Sequence, residues 1–233
     1  MDALLALAAT LLLLAALSSA IVTRAPLPHR TATRPAPASA PAPGVSVIIP
    51  ARDEARNLPR LLASLARQTI SVDVIVVDGG QNGDLASLAG ETGARVVPEP
   101  RLAPGWVGKS WACRNGRSAA RGEWLLFTDA DTFYEPEAVA RAVAEAEARG
   151  VGFLTGLTRQ ELGSFAERVC MSPMFTLVQA ATGGGGERSL ADPRHAVANG
   201  QFLLFRAATY DALGGHEAVK ESVVEDLALA RVA

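Results

Sequence analysis

Cysteine is nearly absent: Cys113 and Cys170 are the only two in 233 residues. Two thiols cannot build a disulfide framework, and they suit a reducing compartment. Histidine is as scarce. His29, His195 and His216 follow no metal-ligand spacing, so a structural Cys/His zinc site has no support, and His195 and His216 read as polar loop residues. A strong charge of one sign is lacking too. The formal net charge is −2, which offers no footprint for a nucleic-acid backbone and leaves only small nucleotide ligands in view. There is no G-x-S-x-G elbow for a serine hydrolase. No Gly stands five residues before Gly108, so the G-x-x-x-x-G-K-[ST] phosphate loop is missing as well. No internal repeat is present.

What the chain does have is apolar content, with 49% hydrophobic and 20% charged residues, a balance typical of globular domains. Ala3 to Val22 carries no charge. As a helix it spans ~30 Å, about the hydrocarbon thickness of a bilayer. A cleaved signal peptide is the rival reading, with Ser18-Ser19-Ala20 as small residues for cleavage, but Asp2 stands where a signal peptide wants positive charge. Arg24, Arg30 and Arg34 follow the run, which by the positive-inside rule puts the remainder in the cytoplasm. The expected organisation is an anchor over 1–23, a proline-rich linker over 24–43 and a catalytic domain over 44–233. The linker is too poor in large apolar residues to fold and favours an extended spacer.

Within the domain, Val45–Ile49 is a β-branched run ended by Pro50. Leu58, Leu61, Leu62 and Leu65 share one helix face. Val72–Val77, Arg95–Val97, Glu123–Thr128, Val151–Leu157 and Gln201–Arg206 read as strands, residues 84–92 as a short helix, and Pro136 opens a helix through Arg149. Such alternation predicts an α/β fold, a mostly parallel sheet with helices on both faces. Ligands gather at the carboxyl ends of such strands, where Asp78 and Asp129 fall.

Three elements carry chemistry. Asp129-Ala130-Asp131 follows a buried strand; it fits a hard oxygen site for Mg2+ or Mn2+ shared with phosphates, or a solvated turn. In Pro104-Gly105-Trp106-Val107-Gly108-Lys109-Ser110 the glycines flank a lysine; this fits close approach of an anion, or a surface turn. Glu225-Asp226 precedes an apolar helical segment; it fits a general base for an acceptor hydroxyl, or acids favoured by a helix dipole.

Taken together, VSVIIPARDEARNLPRLLASL, VIVVDGG, PGWVGKSWAC, GEWLLFTDADT, ANGQFLLFR, GGHEAV and VVEDLALAR resemble a family 2 glycosyltransferase of GT-A fold. The resemblance runs from about Val45 to the end. It implies a nucleotide-sugar donor of UDP type, with Pro50, Ala51, Asp53, Glu54 and Asp78 lining the nucleotide pocket and Lys109 near nucleotide or phosphate. It implies Asp129 and Asp131 as holders of the sugar nucleotide and its divalent metal, Asp131 the more direct. Asn199-Gly200-Gln201 would lie near donor sugar or acceptor, and Asp226 of the Glu225-Asp226 pair would be the base of an inverting transfer.

The family pattern places a second acid and a serine after the strand-two aspartate, where Gly79, Gly80 and Gln81 stand here. The chain also ends at Ala233 without a Q-x-x-R-W motif or C-terminal membrane helices, which gives the expectation of a C-terminally truncated domain. PGWVGKSWAC with TDADT and EDLALAR is most similar to hopanoid-associated and carotenoid-type glycosyltransferases. That implies a lipid or polyprenoid acceptor at the inner membrane. The apolar segment Phe165 to Val178 fits an interfacial surface or a core helix, and Gly183 to Gly186 a lid. Two alternatives remain at this point. One is a degenerate, non-catalytic binding domain. The other is a nucleotidyltransferase, which would be expected to show a Gly-rich strand-one loop that VSVIIPARDEA lacks.

Overall fold

The computed structural model describes residues 44–80, 85, 89, 90, 92–156, 158–167, 169–171, 173, 174 and 196–233. The expected anchor, the linker, His29, His195 and the Gly183–Gly186 loop lie outside them. Among the described residues, no helix is long and apolar enough to cross a membrane.

Six strands form one sheet in the order β3-β2-β1-β4-β6-β5: β1 Val45–Ala51, β2 Val72–Asp78, β3 Arg95–Pro98, β4 Trp124–Phe127, β5 Phe153–Thr155 and β6 Leu203–Arg206. The first four in that order run parallel, whereas β6 is antiparallel to β4 and β5 antiparallel to β6. The expected mostly parallel sheet is therefore found, with β6 and β5 as its antiparallel part. Strands β1 and β4 at its centre are almost wholly buried because helices cover both faces, whereas β2 and the edge strand β3 are only partly covered. Each parallel crossover brings the chain back to the same edge, so the ends of β1 to β4 share one side.

Strand β1 does not stop at Pro50. Gly44 and Ile48 carbonyls point to β4, accepting from Trp124 and Thr128 N–H, and the Ala51 carbonyl points to β2, accepting from Gly79 N–H. By alternation Pro50 faces the β4 side, where pairing has already ended at Ile48. The missing proline N–H leaves no ladder bond unmade there.

Helix α1, Leu58–Leu65, buries all four predicted leucines, each worth about 1.5–3 kcal/mol on removal from water. With α3, Ala138–Arg149, it covers the β1 face that carries Val45, Val47 and Ile49. Pro136 lies two residues before α3, in the preceding turn rather than in its first turn. The opposite face packs Ile48, Ile75, Val77, Leu125, Phe127 and Phe205 against α2, Gly108–Ala119, and against the short α4, Ala207–Ala212, α5, Gly215–Ala218, and α6, Glu225–Val232.

Helix α2 is the element that sequence periodicity passes over. Its buried face is Ser110, Ala112, Cys113 and Gly116, small residues that carry almost no apolar signal but let the helix lie close on the sheet. A Cβ on Gly116 would collide with Ile48.

A second compact unit has its described residues within Arg159–Val197. Its described helix begins with a reciprocal cap: Ser164 Oγ accepts from Glu167 N–H at 3.1 Å, while Glu167 Oε2 accepts from Ser164 N–H at 3.2 Å. Phe165 and Met174 are exposed, and 175–178 lie outside the description.

Candidate active site

The strand ends open on a cleft of about 440 Å³ lined by Pro50, Ala51, Arg52, Glu54, Glu99, Lys109, Asp129 and Asp131, with small α2 residues as its floor. Of the sequence-named donor residues, six are here: Pro50, Ala51, Glu54, Lys109, Asp129 and Asp131. Asp53 and Asp78 stand beside the lining. Asp53 takes the left-handed backbone region at φ 59°, which aspartate tolerates better than most residues. Asp78 Oδ1 accepts the Gly80 N–H at 2.9 Å and shapes the turn after β2.

The Asp129–Asp131 turn is fixed from below. Tyr134 Oη donates to Thr128 Oγ1 at 2.7 Å, and Thr128 and Thr132 hydroxyls lie 2.7 Å apart. Thr132 Oγ1 also donates to the Asp129 carbonyl at 2.8 Å. Burial pushes the Tyr134 phenol up, so it stays protonated and able to donate. Ala130 is buried beneath the turn, and the exposed Asp131 carboxylate has no protein partner among the described residues. Two acids on a rigid turn suit a hard divalent cation that keeps some waters. Among the described residues no group of three or more His, Cys, Asp or Glu side chains is placed to hold a metal ion, so a cation here would rest on these two carboxylates, water and ligand oxygens.

Lys109 sits in the first turn of α2, where a helix dipole disfavours a cation. Asp129 Oδ1 at 2.7 Å and Glu225 Oε1 at 2.9 Å offset that. Burial favours the neutral amine, but the two carboxylates outweigh it and hold the ammonium above the ordinary lysine range. Glu225 is buried. Its neighbour Asp226 accepts the Gly200 N–H on Oδ2 and the Leu227 N–H on Oδ1, both at 2.8 Å. Both acids occupy the first turn of α6, where the helix dipole favours negative charge.

Gly200 lies close against the ends of three charged side chains. A Cβ there would lie 2.8 Å from Lys109 Nζ, 3.4 Å from Asp226 Oδ2 and 3.6 Å from Glu225 Oε1. The turn is braced by Asn199, whose Nδ2 donates to Thr158 Oγ1 at 3.2 Å and whose Oδ1 accepts from Gln201 N–H at 3.1 Å. Gly200 thus lies against Lys109, while Asn199 braces the turn behind it.

His216 is corrected from loop residue to core. It is 1% exposed, its Nδ1 pairs with Tyr210 Oη at 2.6 Å, and its ring lies 4.8 Å from Phe127. Burial, helped by the Lys109 charge, pushes its pKa down to about 3. The preceding Gly214 and Gly215 both have positive φ, which wraps the chain over the Tyr210 ring. Arg52 and Glu99 were not read from sequence. Glu99 stands just past β3, on the side where the strand-end rule would have directed attention.

A family model described as "Glycosyl transferase family 2" matches residues 46–209. The chain is 41% identical over 107 residues to the 4,4'-diaponeurosporenoate glycosyltransferase of Staphylococcus haemolyticus (strain JCSC1435), covering 45% of this chain and 28% of that protein. Against the enzyme of the same name from Staphylococcus aureus (strain MRSA252) it is 33% identical over 189 residues, 79% of this chain and 50% of that protein. The chain thus spans half or less of the length of the curated relatives it matches. Among solved structures it superposes on mannosyltransferase PcManGT from Pyrobaculum calidifontis in complex with GDP-Man and Mn2+ with a TM-score of 0.57 at 22% identity, covering 92% of this chain and 57% of that one. S. aureus TarS 1-349 gives 0.55 at 18%, covering 81% and 55%. At such identities the likeness is one of fold.

Proposed function

Because this chain belongs to glycosyl transferase family 2, we propose that it transfers a sugar from a nucleotide-sugar donor, with inversion, to a lipid or polyprenoid acceptor at the membrane. The observation that carries this reading is the convergence of Asp129–Asp131, Lys109 and Glu225–Asp226 around one strand-end cleft. The staphylococcal relatives are named for 4,4'-diaponeurosporenoate, which favours a polyprenoid acceptor. PcManGT holds GDP-Man with Mn2+, which favours a divalent cation here. Asp131, with Asp129, would hold Mg2+ or Mn2+, which would offset the charge of the leaving diphosphate.

The chain's own residues divide the remaining work. Lys109 keeps Asp129 and Glu225 in register and places a positive charge in the cleft. The Gly200 N–H orients Asp226, which takes the acceptor hydroxyl proton. The acceptor oxygen then bonds to the anomeric carbon as the bond to phosphate oxygen breaks, and its electron pair leaves with the nucleoside diphosphate. We place the domain on the cytoplasmic side of the cell membrane, tethered through residues 1–23. A reporter fused at residue 40 that is active only outside the cytoplasm would contradict that orientation.

The test is incubation of the full chain with MnCl2, UDP- and GDP-sugars and a polyprenoid acceptor, followed by mass spectrometry. A glycosylated acceptor is expected. Tight donor binding with neither transfer nor donor hydrolysis would instead support a non-catalytic binding domain.

A further inference from the structure

The space beside Gly79, the residue after Asp78, is occupied by side chains from elsewhere in the chain. A Cβ on Gly79 would collide with Glu99 Oε2 and lie 3.2 Å from Arg52 Nε. Glu99 is placed there by its backbone and its neighbour. Its N–H donates to the Asp78 carbonyl at 2.9 Å, and Trp111 Nε1 donates to the Pro100 carbonyl at 2.9 Å, tying the next residue to α2. The Glu99 side chain is 6% exposed and lines the cleft. Oε2 pairs with Arg52 at 3.4 Å. Oε1 is buried and has no hydrogen-bond partner among the described residues.

A buried carboxylate oxygen without a donor is costly. In a ligand cleft the natural source of that donor is the ligand. We propose that Glu99 reads the nucleoside half of the donor, its Oε1 accepting one neutral O–H or N–H from the ribose or the base. This rests on the donor reading above. The position within the sheet argues for the nucleoside end. Glu99 follows β3, three strand spacings of about 4.8 Å from β4, whereas Asp129, Asp131 and Lys109 cluster at the β4 side. A carboxylate repels phosphate, and the Arg52 guanidinium beside it repels a metal cation. A neutral hydrogen-bond donor remains. Glu99 thereby fills, from the end of β3, the space beside Gly79.

The test is calorimetric binding to the full chain in MnCl2, using UDP, 2′-deoxy-UDP, 3-methyl-UDP and inorganic pyrophosphate, with the corresponding GDP series if GDP binds more tightly. The wild type should prefer the parent nucleotide over one analogue by about 10- to 100-fold, the range for a hydrogen bond to a charged group. The disfavoured analogue tells ribose from base. Glu99→Ala should weaken parent binding by a similar factor and erase that preference, while pyrophosphate binding stays unchanged. Gly79→Ala, which displaces the carboxylate without removing it, should do the same.

Retained preference in Glu99→Ala overturns the inference, as does equal wild-type affinity for both analogues. Parallel loss of pyrophosphate binding also overturns it, since that would mark a structural role. A wild type that binds neither UDP nor GDP would overturn the donor reading itself, a distinct failure.

Discussion

The two halves of the sheet bring residues to the cleft by opposite routes. In the parallel half, β1, β2, β3 and β4 all point their carboxyl ends at it, and Ala51, Asp78, Glu99 and Asp129 follow as a direct consequence of strand direction. In the antiparallel half, β6 pairs Leu203 with Phe127, so its beginning rather than its end meets that edge. The turn at Asn199–Gln201 is the result, and α6 adds Glu225 and Asp226 from beyond it. The parallel half thus presents side chains suited to holding a donor. The antiparallel half contributes a backbone N–H and the carboxylates it orients. Lys109 joins the two through its paired contacts to Asp129 and Glu225.

Four perturbations separate those contributions. The largest effect is expected on the parallel side: Asp131→Asn, or EDTA on the wild type, should reduce donor turnover by at least ~100-fold, with the EDTA effect reversed by MnCl2 in a coupled nucleotide-release assay. On the antiparallel side, Gly200→Ala should reduce kcat by about 10- to 100-fold with a smaller loss of donor affinity, because a methyl 2.8 Å from Lys109 Nζ and 3.4 Å from Asp226 Oδ2 shifts both groups. Equal losses in kcat and affinity would blur the division.

The link itself is tested by stability. Lys109→Met leaves the Glu225 carboxylate, 8% exposed, without its cation. After allowance for the partial exposure of Lys109, it should cost about 1–3 kcal/mol in urea unfolding. Adding Glu225→Gln should recover part of that loss. An additive double mutant would mean that the pair is not coupled.

The smallest effect concerns the core below the site. His216 has a folded pKa of about 3, below its unfolded value near 6.5, so the unfolded chain binds the extra proton. Its contribution is complete above about pH 6.5 and is lost as pH falls towards 3, at up to about 1.4 kcal/mol per pH unit. Unfolding free energies at pH 7 and 5 should show this slope in the wild type and a shallower one in His216→Gln.

The same division governs how much of the molecule was legible in its sequence. Strands and helices with strong periodicity, such as β1 and the leucine face of α1, could be read directly, and the strand-end rule then found Asp78 and Asp129. Helix α2 could not be read, because close packing on Ile48 and Val77 demands small residues that carry little periodic apolar signal. Gly200 and Gly79 were legible only as glycines. What crowds each is the end of a side chain distant in sequence, Lys109 in one case and Glu99 in the other. His216 misled for a related reason: a polar residue after two glycines reads as a loop until Tyr210 and Phe127 are seen to enclose it. The glycosyltransferase expectation rests on the order of several strings together, since Asp129-Ala130-Asp131 alone fits a solvated turn better than a metal site.

The central claim is that Asp226 is the base of a sugar transfer whose donor is bound by the rest of the cleft. Nucleoside diphosphate release by wild type and Asp226→Asn, measured with saturating donor, MnCl2 and acceptor alongside donor Kd, addresses it most directly. The account predicts donor binding within a few-fold of wild type and a rate reduced by about 100-fold or more. A near-normal rate in Asp226→Asn would contradict it.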